Sequence, residues 1–114
     1  MAHRGASYIA PENTLIAFKK AIALGADGIE LDVHLSADGI PVVMHDETLD
    51  RTTNGKGLIK YYNVCDLESL DAGGWFSDDY AGEAVPTLEQ VLKLISDTDM
   101  VLNVEMKMGG FFYP

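Results

Sequence analysis

Glu30 and Asp32 stand two residues apart in Gly28-Ile29-Glu30-Leu31-Asp32-Val33-His34-Leu35, a run in which apolar and polar residues alternate. On an extended segment that spacing turns both carboxylates to one side. Glu105 sits in a second alternating run, Leu102-Asn103-Val104-Glu105-Met106, and could meet them if the two strands are neighbours. Three converging carboxylates repel and draw protons, and a divalent cation removes that penalty. An oxygen-only set favours magnesium, calcium or manganese over zinc. The plainer alternative is a set of solvated acids at strand ends. His3 and His45 both fall at or near expected strand ends, and two imidazoles across a phosphorus could share base and acid work near neutral pH. Each could equally be a surface or structural histidine. His34 lies on the acidic strand face, as a metal contact or as a support. Arg4, by its fork, and Lys107, as a point charge, could hold phosphate oxygens, or form ordinary salt bridges.

These side chains need a frame. Pro11-Glu12-Asn13-Thr14 supplies turn and cap chemistry ahead of Leu15, Phe18 and Ile22, so a helix is expected within Ile9 to Leu24, stopped by Gly25. Residues 28–35 predict a strand with Ile29, Leu31, Val33 and Leu35 on one face. Asp38-Gly39 marks a turn, and Pro41 to His45 reads as a short strand returning to the same region. Asn54-Gly55 predicts a tight turn, whereas residues 58–84 carry no clean period. Thr87 and Gln90 form a capping-box pair ahead of Leu88, Val91, Leu92 and Ile95, and Met100 to Met108 predicts a last strand. Strands joined by helices predict an α/β fold with a parallel sheet.

The chain has 114 residues, with eight Lys and Arg against eighteen Asp and Glu, a formal charge of -10. That sign argues against nucleic acid or an anionic bilayer as partner, while a small phosphate ligand stays compatible through a local cation. Hydrophobic residues at 47% indicate a globular chain. Cys65 stands alone, which removes an internal disulfide and a thiolate cluster. No apolar run is long enough to span a membrane and no signal core follows Met1-Ala2-His3-Arg4-Gly5, so a cytoplasmic protein without membrane insertion is expected. Gly55-Lys56-Gly57 lacks the rest of a P-loop, residues 27–38 miss the EF-hand spacing, and Ser7, Ser36 and Ser77 sit in no nucleophile elbow.

Several short motifs follow one another along the chain. They are His3-Arg4-Gly5, Pro11-Glu12-Asn13-Thr14, Glu30-Leu31-Asp32-Val33 and Pro41-Val42-Val43-Met44-His45-Asp46. Thr52-Thr53-Asn54-Gly55 with Gly57, Pro86-Thr87-Leu88-Glu89 and Asn103-Val104-Glu105-Met106-Lys107 follow. Together they resemble the glycerophosphodiester phosphodiesterases. The resemblance implies a TIM barrel with its site at the C-terminal ends of the strands. It implies Glu30, Asp32 and Glu105 as ligands to calcium or magnesium, His3 and His45 as the general acid/base pair, and Arg4 and Lys107 on the phosphate. The implied reaction splits a glycerophosphodiester into sn-glycerol 3-phosphate and an alcohol. Residues 46–85 resemble an insertion over the barrel mouth. A whole barrel takes roughly 250 residues, so residues 1–114 are expected to form a partial TIM barrel, its N-terminal half. Open sheet edges then lead us to expect a homo-oligomer or a C-terminal half to complete it. The alternative function is a non-catalytic oligomerising half barrel that retains metal or phosphate binding.

Overall fold

A computed structural model describes residues 2–106. Its centre is β2 (Gly28–Leu35), formed over the span that the alternation predicts. Ile29, Leu31 and Val33 are fully buried against Phe18 and Ala21 of α1 (Leu15–Ala23) and Val91 and Ile95 of α3 (Leu88–Ile95). Each such side chain contributes about 1.5–3 kcal/mol by leaving water, which fixes the face of β2 that turns to the helices. Glu30, Asp32 and His34 are thereby committed to the opposite face.

One edge of β2 pairs in parallel with β4 (Val101–Met106), from Gly28 opposite Val101 to Val33 opposite Met106. The other edge is shared. β1 (Ala2–His3) pairs in parallel at Ile29 and Glu30, while β3 (Pro41–Val43) pairs antiparallel at Val33, His34 and Leu35. Thus β1, β2 and β4 are parallel, with α1 and α3 in the connections, and β3 is the return arm of a hairpin. Residues 36–40 are too few for the crossover that a parallel neighbour needs.

The first helix begins at Leu15, directly after the residues that supply its turn and cap chemistry. Residues 4–9 form turns ahead of it, and Thr14 caps the helix by accepting from the Ala17 N–H at 3.3 Å. At α3 both arms of the capping box form: Thr87 Oγ1 accepts from the Gln90 N–H and Gln90 Oε1 accepts from the Thr87 N–H.

Residues between β3 and α3 build a second core in which Leu49, Ile59, Leu67, Ala72 and Val85 pack with Val42 and Met44. A short helix, α2 (Val64–Glu68), and single 3-10 turns at Ile59–Tyr61 and Asp78–Tyr80 supply it. Burial here comes from isolated residues in separate turns, which leaves no period to read. The expected Asn54-Gly55 tight turn takes another form. Asn54 exchanges hydrogen bonds with Asp71, and Gly55 allows close approach, since a Cβ there would lie 2.9 Å from Leu70 Cδ1. Among the described residues no helix is long and apolar enough to cross a membrane.

Candidate functional site

The face of β2 turned away from the helices meets β4 directly. Asp32 lies opposite Glu105 in the parallel ladder, and Glu30 precedes Asp32 on the same face. One carboxylate oxygen from each of Glu30, Asp32 and Glu105 lies within 4.8 Å of the others. Asp32 is 1% exposed, a costly position for a charge with so little solvent. Both Glu30 oxygens and Asp32 Oδ1 are buried and have no hydrogen-bond donor. Oxygen-only ligands at this separation suit a hard divalent cation, whose ligands on opposite sides stand up to about 5 Å apart. Burial, and next the neighbouring Asp32 charge, push the Glu30 carboxyl above its ordinary pKa, while His3 pulls it back in part.

His3 ends β1 beside Glu30, with Nε2 2.8 Å from Oε2, an ion-pair separation without hydrogen-bond alignment. His45 follows β3. Met44 just before it donates its N–H to the Asp32 carbonyl at 2.9 Å, which ties this segment to the acid strand. His34 Nε2 bonds the His45 carbonyl oxygen at 3.0 Å, so His34 supports the His45 backbone. Arg4 places Nε 3.6 Å from Asp32 Oδ2 and Nη1 3.4 Å from Glu12 Oε2. Lys107 lies outside the described residues.

Several site residues escaped the sequence reading. Asn13, in the turn before α1, donates from Nδ2 to Asp32 Oδ2 at 3.2 Å and is itself buried. Arg4 and Asn13 both adopt left-handed backbone, with φ of +58 and +57. The Arg4 N–H donates to the Glu30 carbonyl and the Asn13 N–H to the Arg4 carbonyl, so hydrogen bonds hold two conformations that cost of order 1–3 kcal/mol each. Asp46 Oδ1 lies 2.8 Å from His45 Nδ1, within hydrogen-bond distance, and Arg51 grips Asp46 and Glu12 together. Hydrogen bonding to Arg51 first, and then to His45, lowers the Asp46 pKa to about 2. Asn13 and Asp46 fall inside short motifs, Pro11 to Thr14 and His45-Asp46, whereas Arg51 stands in neither and carries no local signal.

The model of the glycerophosphoryl diester phosphodiesterase family matches residues 3–111. The chain belongs to that family. It is 54% identical, over its full length, to a glycerophosphodiester phosphodiesterase of Caldanaerobacter subterraneus, of which it spans 47%. Its fold superposes with a TM-score of 0.90 on an Oleispira antarctica phosphodiesterase solved with the product sn-glycerol-3-phosphate, at 48% identity, covering 94% of this chain and 43% of that one. A glycerophosphodiester phosphodiesterase of Agrobacterium tumefaciens gives a TM-score of 0.89 at 48% identity, covering 92% of this chain and 45% of that one. The chain thus spans less than half the length of these phosphodiesterases. Its sheet is a partial TIM barrel of the family, in which β1, β2 and β4 stand as successive parallel strands. The three acids lie on the face away from the helices, the inner face of such a barrel.

Proposed function

We propose that this chain carries the metal- and phosphate-handling part of a glycerophosphodiesterase site and hydrolyses glycerophosphodiesters to sn-glycerol 3-phosphate and an alcohol. The observation that carries this reading is the convergence of Glu30, Asp32 and Glu105, with buried oxygens of Glu30 and Asp32 left without donors. The product seen in the Oleispira relative supports the substrate class. Glu30, Asp32 and Glu105 would hold calcium or magnesium, which supplies a positive charge against phosphoryl oxygens. A separation of up to 4.8 Å suits calcium as it stands, while magnesium asks the acids to close in by about half an ångström.

His3 and His45 divide the proton transfers. One takes the proton of the glycerol hydroxyl next to the phosphoester as that oxygen attacks phosphorus, and the other protonates the departing alcohol oxygen. Water then opens the cyclic phosphate with the two roles exchanged. Arg4, and Lys107 by its place in the family motif, engage phosphate oxygens. Residues 46–85 form the cover over the glycerol end. Such a protein serves lipid and glycerol metabolism in the cytoplasm.

The test is release of glycerol 3-phosphate from glycerophosphocholine, with and without chelator. Release that chelator stops and His3→Ala abolishes is expected. A folded, metal-loaded sample that gives no product favours the second reading, a half barrel that binds metal without turnover.

A further inference from the structure

Arg51 lies outside the acid cluster, yet its guanidinium touches two segments that flank the site. Nε and Nη2 donate to Asp46 at 2.8 and 3.0 Å, while Nη1 and Nη2 donate to Glu12 at 2.9 and 3.0 Å. Both contacts are bidentate, so the planar fork fixes two carboxylates in direction as well as in distance. Asp46 Oδ1 receives Arg51 Nη2 and also lies 2.8 Å from His45 Nδ1. Glu12 in turn meets Arg4, whose Nε approaches Asp32. A continuous set of charged contacts therefore runs from His45 to the buried acid of β2.

As a source of stability this network is weak. The Arg51 side chain is 45% exposed, and ion pairs in such surroundings contribute about 0–1 kcal/mol. As a constraint on geometry it is strong, because Asp46 has both oxygens engaged and one of them faces an imidazole nitrogen. A carboxylate fixed against Nδ1 selects the tautomer with the proton on that nitrogen.

We propose that Arg51 is a positioning residue: its double fork holds Asp46 against His45 so that the imidazole carries its proton on Nδ1 and uses Nε2 for transfer. This rests on the reading of His45 as one of the two proton-transfer groups. Arg51 itself touches no reacting atom. It acts through Asp46, and it couples the loop after β3 to the loop before α1.

The test reads the ring directly. At about pH 9, above the ordinary histidine pKa of roughly 6.5, nitrogen-15 NMR of the labelled chain distinguishes the two neutral tautomers of each histidine. His45 is expected as the Nδ1-protonated form in the unaltered protein. Arg51→Met is expected to end the dominance of that form, while the His34 ring signals stay in place and report an intact β2 and β3. Where Arg51→Met disturbs the His34 signals, Arg51→Lys makes the same test, since an ammonium cannot present a planar fork to two carboxylates. A His45 ring protonated on Nε2 in the unaltered protein overturns the proposal. So does an unchanged tautomer in the variant that leaves His34 undisturbed. Neither outcome depends on turnover, so loss of the hydrolase reading and loss of this one are separately visible.

Discussion

Glu30 is pulled in opposing directions. Burial and the Asp32 charge favour its protonated form, whereas a bound cation would favour its charged one. The sign of the linkage follows. A carboxyl whose folded pKa is raised contributes stability below its unfolded pKa, and that contribution is lost as pH rises through the folded value. Glu30→Gln should therefore raise the melting temperature of the metal-free chain near neutral pH. The gain should vanish below about pH 4, where an ordinary glutamate is already largely protonated. Added calcium should stabilise the unaltered chain and leave the variant nearly unmoved. Thermal melts with chelator and with calcium check all three, and a variant that calcium stabilises as strongly removes Glu30 from the metal site.

The elements that carry the site are short, and one glycine sets how closely two of them approach. Gly5 follows Arg4 with φ of +80, and a Cβ there would stand 2.9 Å from both the carbonyl carbon and the Cβ of Ala17. The Ala6 N–H donates to the Ala17 carbonyl at this crossing, so the turn after β1 lies directly on α1. Gly5→Ala adds a left-handed penalty of about 1–2 kcal/mol to a backbone clash that no rotamer relieves. A fall in melting temperature on the order of 10 °C is expected. A melt within 2 °C or so of the unaltered chain would show that the turn can move off the helix freely.

At the level of the whole molecule, the sheet is open on both sides among the described residues. β4 pairs only with β2, and its apolar Val101 and Met106 are about half exposed. Beside β1 runs an open groove of about 480 Å³ lined by Ala2, Ala6, Tyr8, Leu24 and Ala26. Edges with unpaired backbone groups and apolar surroundings invite another strand. The chain is expected to sediment above its monomer mass of 12.4 kDa, with the excess reversed by dilution or mild denaturant. A monodisperse monomer by analytical ultracentrifugation would mean that these edges are quiet as they stand.

Local patterning settled the elements that have a period. Alternation marked β2 over its observed span, and Thr87 with Gln90 marked the start of α3, because each depends on neighbours a few residues apart. The types and spacing of Glu30 and Asp32 also put two acids on one face before any tertiary contact existed. What no local signal held was contact over distance. Glu105 joins those acids through the β2–β4 register, Asn13 reaches Asp32 through a left-handed turn, and Arg51, beside Asp46, reaches Glu12 across 39 residues. Residues 58–84 show no period for the same reason, since the second core draws single residues from many turns. Periodicity is a property of the nearest neighbours along the chain, whereas a site is a property of neighbours in space, and only packing brings the second set together.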